Sequence, residues 1–212
     1  MSSSQISIST LFKSTDFWAI NKKAGQHWNE VLTQSDGDWE ALHRLDFLTS
    51  GAMLFCEAKH IKPFRDSIFK SAATKKIYIA GCRQPLPDHF LNQKIEGFVG
   101  SRYRSSKKTR FSLERESFRG FHNIQEASHI VTKCEDPSIA AVFSDHIYQI
   151  QLISGCRHQI RTFFEWAKSP INGDPIYEGT KASRLQLHAW KLVFKHPLNS
   201  NEIIQIEAPI EN

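Results

Sequence analysis

Residues 43–51 read His43-Arg44-Leu45-Asp46-Phe47-Leu48-Thr49-Ser50-Gly51. This polar stretch comes directly before an apolar run of strand length, residues 51–56. A charged Asp46 beside a buried strand needs hydrogen-bond partners, because an unpaired buried charge is costly. Thr49, Ser50 and nearby backbone amides are candidates for that role. The spacing is equally typical of a structural Asx-type turn.

A second polar stretch leads into a predicted helix and reads Ser154-Gly155-Cys156-Arg157-His158-Gln159-Ile160-Arg161. The helix is predicted over residues 158–168, because Ile160, Phe163, Phe164 and Ala167 recur at amphipathic spacing. Arg161 follows Ile160 by about 100° around the helix, at the edge of the apolar face. Arg161 is therefore either a surface arginine or one that turns back to a carboxylate.

The rest of the chain contains more strand patterns than helix patterns. A second helix is predicted over residues 58–72. Further strands are predicted over residues 6–12, 17–20, 76–80, 147–153, 186–194 and 202–207. Helices and strands do not alternate regularly, which predicts an α+β fold with a mixed, largely antiparallel sheet. Tyr78 alternates with Ile77 and Ile79, and such a tyrosine is more often part of a core than catalytic.

Composition excludes several classes of protein. The 212 residues are 40% hydrophobic and 23% charged, which excludes a disordered or fibrous chain. No apolar run approaches the roughly 18 residues of a membrane helix, and the first residues lack a secretory pattern. We therefore expect a cytoplasmic protein whose four separated cysteines are reduced. The ten histidines show no ligand spacing, so no metal is expected.

Positive charge is concentrated in residues 102–119. This segment holds seven basic and two acidic side chains, so its excess equals the net charge of +5 of the whole chain. Serines and aromatic residues interrupt the charges without a clean helix or strand period. The pattern favours a basic loop or hairpin that contacts phosphates, although a solvated surface loop has the same composition.

Together these segments resemble the RluA-type family of RNA pseudouridine synthases. The family motif H-R-L-D-x-x-T-S-G matches residues 43–51 in full, and the motif G-R-T-H-Q-I-R matches at Gly155, His158, Gln159, Ile160 and Arg161. Shorter family signatures follow in order at 16–25, 76–80, 173–177, 187–189 and 196–197. The resemblance covers about residues 11–208.

The resemblance implies the pseudouridine synthase fold, with the sheet flanked by helices and a central catalytic cleft. It implies a single catalytic domain over residues 1–212, with a core of about 11–208 and a basic insertion at 97–122. We expect no S4-type RNA-binding module, because roughly ten residues precede the core.

The implied activity is that of an isomerase which converts specific uridines of tRNA or rRNA to pseudouridine. The N1–C1′ bond breaks, the uracil turns, and the base rejoins through C5. Nothing is oxidised or consumed, so no cofactor is expected. By resemblance Asp46 is the nucleophile at C1′ or the base that removes a sugar proton, and both routes stay open. Arg161 is implied to pair with Asp46, and Tyr78 to stack on the base near the proton transfer at C5.

The target uracil must be flipped out of a stem or loop, which costs a few kcal/mol of unstacking. Phosphate contacts have to offset this cost. The residues expected to contact RNA are His43, Arg44, Arg102, Arg104, Lys107, Lys108, Arg110, Arg157, His158 and Gln159. The expected partner is a structured RNA such as a tRNA or rRNA stem-loop, bound by a monomer without membrane contact.

The chain departs from the family pattern at three positions. Lys23 replaces a proline, which makes the opening turn less rigid. Cys156 replaces an arginine and Arg157 a threonine, so a guanidinium is present one position along.

Two other functions remain open on the sequence. A glycosidase or nucleosidase would break a similar bond, but it usually needs two partnered carboxylates and only Asp46 stands in a motif. A catalytically silent RNA-binding protein of the same fold is compatible with Cys156. The presence of Asp46, Tyr78 and Arg161 favours the enzyme.

Overall fold

The computed structural model describes residues 8–143 and 145–211, and these form two compact units. The first unit contains the chain up to Lys76 together with Ala189–Ile210. The second contains the intervening Ile77–His188, apart from residue 144, and also Glu211. The single catalytic domain expected from the sequence stays a prediction.

The first unit is built on a sheet with the strand order β1-β2-β4-β10, in which β3 also pairs with β4 and β11 with β10. Its elements are β1 (Ser9–Lys13), β2 (Phe17–Lys22), α1 (Trp28–Leu32), β3 (Trp39–Ala41), β4 (Ser50–Glu57), α2 (Ile61–Phe69), β10 (Leu187–His196) and β11 (Asn199–Glu207). A 3-10 turn, Ala58–His60, precedes α2. The pairs β1–β2, β2–β4, β3–β4 and β10–β11 are antiparallel.

Burial explains why these strands lie at the centre of the first unit. Every residue of β2 is buried, as are seven of the eight residues of β4. Phe17 of β2 packs against Phe64 of α2 and Phe194 of β10, with ring centroids 5.2 and 5.3 Å away. Ile68 completes the inner face of α2, and Pro63 is tolerated in its first turn.

The second unit has the strand order β5-β9-β8-β6-β7. Its elements are β5 (Lys75–Cys82), β6 (Lys94–Ser101), β7 (Arg110–Ser112), β8 (His122–Lys133), α3 (Pro137–Ala140), β9 (His146–Leu152) and α4 (Gln159–Trp166). Two 3-10 turns cover Asp88–Phe90 and Arg115–Phe118. Strand β6 pairs antiparallel with β7 and β8, and β8 pairs antiparallel with β9.

Helix α4 supplies the centre of the second core. Phe163 and Phe164 are fully buried, and the Phe163 ring lies 4.4 Å from the His129 imidazole of β8 and 5.3 Å from the Phe111 ring of β7. In β9, Tyr148, Ile150 and Leu152 are buried while their neighbours are half-buried or exposed. The predicted burial of the apolar residues of α4 and the alternation of β9 are thus confirmed, but Gln159, Arg161 and Thr162 are also buried, so the first part of α4 is enclosed on all sides.

The predicted fold class, α+β with a largely antiparallel sheet, is confirmed. The second predicted helix is shorter than expected, since it begins as a 3-10 turn and ends at Phe69. Residues 6 and 7 of the first predicted strand lie outside the described residues. Strand β8 was not predicted, because its first half is largely exposed and only Ala127, His129 and Val131 are buried.

The segment 102–119 proves to be a hairpin followed by a 3-10 turn. Strands β6 and β7 pair antiparallel, with Gly100 opposite Arg110, so residues 102–109 form the loop between them.

Among the described residues, no helix is long and apolar enough to cross a membrane. Within the described part of the chain there is no group of three or more His, Cys, Asp or Glu side chains that could hold a metal ion. All four cysteines are free thiols, as expected.

Candidate functional site

Asp46 lies in a loop that accepts a hydrogen bond from the buried ammonium group of Lys22. Lys22, at the end of β2, is 1% exposed, and its Nζ donates to the carbonyl oxygens of Lys23, Gln26 and Phe47 at 2.9, 3.0 and 3.1 Å. The Phe47 oxygen accepts a second bond from the Gly25 N–H at 2.9 Å. The carbonyl oxygen of Phe47, one residue after Asp46, therefore accepts two bonds from the opening turn.

The same ammonium group interacts electrostatically with Asp46. Burial lowers the pKa of Lys22 to about 8, while the nearby Asp46 and Glu30 carboxylates act in the opposite direction and favour the charged form. Asp46 itself is half-buried, and its carbonyl accepts from the Thr49 N–H at 3.0 Å. The loop thus contains a β-turn closed by backbone groups, and Asp46 lies near a positive charge, while the Asx-type turn stays a prediction.

The substitution of Lys23 for proline is compensated locally. The Lys23 N–H donates to Gln26 Oε1 at 3.3 Å, a bond that a proline could not make. Gln26 is 8% exposed, so this bond satisfies a buried oxygen. This hydrogen bond constrains the turn where the family's proline ring would otherwise do so.

Gly51 ends the motif because a neighbouring strand approaches too closely for a side chain. A Cβ atom at this position would lie 2.2 Å from the carbonyl oxygen of Ala189 in β10, and the Gly51 φ is +115°. Any larger residue would push β4 away from β10. The glycine therefore sets the position at which the Asp46 loop joins the sheet.

His43 supports β4 through its imidazole. Its Nε2 accepts from the Leu54 N–H at 3.1 Å. Burial, with the Lys76 ammonium adding to it, lowers the pKa of His43 to about 4, so the ring is neutral at pH 7. Its predicted RNA contact stays a prediction. The neighbouring Arg44 is exposed and lines a cavity of about 680 Å³ with Arg65.

In the second unit, Arg161 is buried and paired with a carboxylate. Its Nε and Nη2 donate to Oδ2 and Oδ1 of Asp174 at 2.7 and 2.8 Å, and the two side chains are 2% and 0% exposed. Burial favours the neutral acid, but the Arg161 guanidinium and the N–H groups of Ile176 and Tyr177 outweigh it, so the pKa of Asp174 is lowered. The surface-arginine alternative is wrong.

Sequence reasoning did not assign a role to Asp174. The signal was its place in the turn Gly173-Asp174-Pro175-Ile176-Tyr177, since aspartates in turns bond the amides two and three residues on. The ion pair was not predicted, because Asp174 and Arg161 are 13 residues apart in the sequence. The implied pairing of Arg161 with Asp46 stays a prediction, as does the catalytic role of Tyr78, which is half-buried in β5.

The turn at Asp174 also anchors the basic hairpin. The Tyr177 hydroxyl accepts from the Thr109 N–H at 3.0 Å and lies 2.9 Å from His158 Nδ1. The Thr109 carbonyl accepts from the Thr162 hydroxyl at 3.1 Å. His158, predicted to contact RNA, thus begins α4 with its imidazole held by a buried tyrosine.

Gln159 organises the loop before α4. It is 2% exposed, and its Oε1 accepts from the Cys156 N–H and the Ser154 hydroxyl at 3.1 and 3.0 Å. Its Nε2 donates to the Ser128 carbonyl at 3.2 Å. The amide is therefore a positioning group in this structure, and its predicted RNA contact stays a prediction.

The basic residues of the hairpin differ in what they contact. Arg157 donates to the carbonyl oxygens of Ser106 and Lys107 at 2.9 and 3.1 Å, so the guanidinium next to Cys156 holds the hairpin loop. Lys108 forms an ion pair with Glu165 of α4 at 2.9 Å. The exposed basic residues predicted to contact RNA here are Arg102, Arg104, Lys107 and Arg110.

Comparison with known proteins agrees with this arrangement. The chain is 26% identical over 206 residues to the dual-specificity RNA pseudouridine synthase RluA of Vibrio cholerae, which covers 90% of this chain and 78% of that protein. It is 31% identical over 160 residues to an uncharacterized RNA pseudouridine synthase of Helicobacter pylori, covering 73% of this chain but 58% of that protein.

The fold is shared with a solved human structure. Human RNA pseudouridylate synthase domain containing 1 superimposes with a TM-score of 0.73 at 20% identity, covering 96% of this chain and 84% of that one. The family described as RNA pseudouridylate synthase matches residues 19–166, which include Asp46, Tyr78 and Arg161. This match spans well over half of the sequence, so the chain belongs to the RNA pseudouridylate synthase family and is of the RluA type.

Proposed function

We propose that this protein isomerises one or a few uridines of a tRNA or rRNA stem-loop to pseudouridine, with Asp46 as nucleophile or base. The observation that carries the proposal is the loop geometry around Asp46. The adjacent peptide is held by Lys22 and Gly25, and the carboxylate stands beside a buried ammonium. A carboxylate in an ordered loop near a cation suits attack at C1′ or removal of a sugar proton.

Each step of the proposed reaction balances without a redox partner. As the N1–C1′ bond breaks and leaves its electron pair on the uracil, Asp46 either bonds to C1′ or takes a sugar proton. The uracil then turns and C5 bonds to C1′, which displaces the Asp46 oxygen in the first route, while in the second route the proton returns to the sugar. The proton on C5 is lost and N1 gains one, so the product is an isomer. In this proposal Tyr78 stacks on the base and serves the proton transfer at C5, while Arg161 pairs with Asp46 and favours its carboxylate form.

We further propose that the protein acts as a monomer in the cytoplasm. The four free cysteines, two of them buried, support the compartment, and a monomer is the default for a chain of this kind. Burial raises the pKa of Cys56 and Cys82 to about 12, so these thiols are unreactive and suit a reducing compartment.

The test is pseudouridine mapping of total RNA by carbodiimide labelling, in cells with and without this protein. We expect one or a few uridines to lose the modification when the protein is absent. The purified protein should then restore those positions when it is incubated with the unmodified RNA. Unchanged maps together with retained RNA binding would instead indicate the catalytically silent RNA-binding protein, and release of free uracil would indicate a glycosidase.

A further inference from the structure

The loop between β6 and β7, together with Arg110 and Phe121, lines an open cavity of about 410 Å³, which we call the loop cavity. Its walls include the rings of Tyr103 and Phe121 and the side chains of Arg102, Lys107 and Arg110. The volume lies within the about 300–1,000 Å³ typical of small-molecule sites. The cavity surface is mostly apolar, whereas its rim is basic.

The aromatic walls are exposed but held in place. Tyr103 is 61% exposed, so its ring is accessible to a ligand. The Arg102 guanidinium lies 6.0 Å from its ring centroid. Phe121 is half-buried against Phe118, with the ring centroids 5.3 Å apart, and Arg110 lies 5.7 Å above it. Two π faces with cations beside them resemble the stacking platforms of single-strand binders.

The backbone that carries Tyr103 is ordered by local bonds. The Tyr103 N–H donates to Ser106 Oγ at 2.9 Å, and the Ser106 N–H donates to the Tyr103 carbonyl at 3.1 Å. Arg157 holds the Ser106 and Lys107 carbonyl groups, and Thr109 is bonded to Tyr177. The cavity is therefore preformed, so a ligand does not have to bear the cost of ordering the loop.

The positive charge of the residues that line the cavity favours an anionic ligand. Among the described residues, none of those lining the cavity is acidic. Lys108 is already paired with Glu165, which leaves Arg102, Lys107 and Arg110 as the exposed cations at the rim. An apolar floor between aromatic rings, inside a basic rim, is complementary to a nucleobase with its phosphate.

We propose that the loop cavity binds one unpaired nucleotide of the substrate RNA, with the base against Tyr103 and the phosphate at the basic rim. This inference rests on the proposed function, because it assigns the hairpin to the same RNA. The nucleotide is not the target uridine, which must reach Asp46, and Asp46 does not line this cavity. The base must be unpaired, since paired bases of an RNA helix do not offer their faces to a side chain.

The experiment measures the affinity of two probes by fluorescence anisotropy. One probe is an eight-nucleotide oligoadenylate with a terminal dye, and the other is an oligomer of the same length that lacks its bases. We expect Tyr103→Ala to weaken oligoadenylate binding about tenfold, as loss of one base–aromatic stack does. The abasic probe should bind both proteins equally, and Tyr103→Phe should behave as wild-type because it keeps the ring.

The matched control is Leu198→Ala, which removes an equally exposed apolar side chain, 66% exposed, from the turn between β10 and β11. It should leave both affinities unchanged. A 2-aminopurine placed in the oligoadenylate should lose fluorescence on binding wild-type and retain more of it on Tyr103→Ala.

Equal affinity of wild-type and Tyr103→Ala for oligoadenylate would overturn the proposal, and so would an equal loss for both probes. Oligoadenylate contains no uridine, so either result leaves the proposed isomerisation untouched. Conversely, unchanged pseudouridine maps would overturn the proposed function without altering the binding of these probes.

Discussion

Near Asp46, a few backbone hydrogen bonds order the loop. The Phe47 carbonyl accepts from Lys22 Nζ and from the Gly25 N–H, so the loop is tied to the opening turn one residue after Asp46. Lys22 also supplies a positive charge near Asp46. One buried lysine therefore both anchors the loop and contributes to the electrostatics of Asp46.

Asp46→Asn should abolish isomerisation. The substitution removes the charge that attacks C1′ or accepts the proton, while it changes side-chain volume very little. We expect the free energy of unfolding to stay within about 1 kcal/mol of wild-type. Pseudouridine formation on RNA from cells lacking the protein measures the activity, with the exposed Asp38→Asn as the control. Near-normal turnover by Asp46→Asn would contradict the assignment of Asp46.

The Arg161–Asp174 pair makes a prediction about stability. Asp174→Asn should lower the free energy of unfolding by about 3–5 kcal/mol, because a buried guanidinium loses the charge of a carboxylate bonded to it at two points. Urea denaturation measures this loss. The matched control is Asp88→Asn, which breaks an exposed 3.5 Å pair with Lys133 and should cost less than about 1 kcal/mol. Equal midpoints for the two variants would show that the buried pair adds nothing.

At the scale of elements, the β6–β7 hairpin combines fixed and exposed charges. Arg157 and Lys108 are used within the second unit, on loop carbonyl groups and on Glu165. Arg102, Lys107 and Arg110 stand at the rim of the loop cavity. The hairpin is therefore a fixed support for a small exposed group of cations.

Neutralising Arg102, Lys107 and Arg110 together should weaken RNA binding and flatten its salt dependence. On a single strand, each phosphate that is no longer neutralised reduces the slope of log K against log salt by about 0.7, so three phosphates reduce it by about 2. Titration of labelled RNA at several salt concentrations measures the slope. Lys133→Gln, an exposed lysine on β8, should leave it unchanged. A slope unaltered in the triple variant would show that the hairpin is only a solvated loop.

At the scale of the whole molecule, two buried histidines link stability to pH. Burial lowers the pKa of both His43 and His129 to about 4, and the Lys76 charge adds to the shift at His43. The unfolded chain, with histidine pKa values near about 6.5, binds more protons than the native one between about pH 4 and 6.5. Stability is therefore greatest above about pH 6.5 and falls as the pH drops toward about 4.

The contribution of His129 to this loss should be about 3 kcal/mol, at about 1.4 kcal/mol per unit of pKa shift. The imidazole is fully buried against Phe163, which makes protonation in the native state costly. Urea unfolding between about pH 4 and 7.5 should show a shallower decline for His129→Gln than for wild-type. Parallel pH profiles for the two proteins would rule out His129 as the titrating group.

Local sequence was sufficient for much of this protein. The alternation of β9 and the apolar face of α4 depend on nearest neighbours in the chain, so their periods predicted them. Residues 43–51 predicted a turn before a strand, and their resemblance predicted the family that the comparisons confirm. These features need no knowledge of distant partners.

Other features emerged only when distant segments came together. Asp174 is identified as a partner of Arg161 only in the structure, because the turn that carries Asp174 packs against helix α4 in the second unit. Gly51 is required by Ala189 of a strand far along the chain, and the largely polar β8 exists because β6 and β9 pair with it. Arg157 donates to the Ser106 and Lys107 carbonyl groups of the hairpin loop, 50 or more residues away in the chain, while its predicted RNA contact stays a prediction. Sequence patterns report which residues favour burial or carry charge, whereas close approach and ion pairing depend on which segments the folded chain makes neighbours.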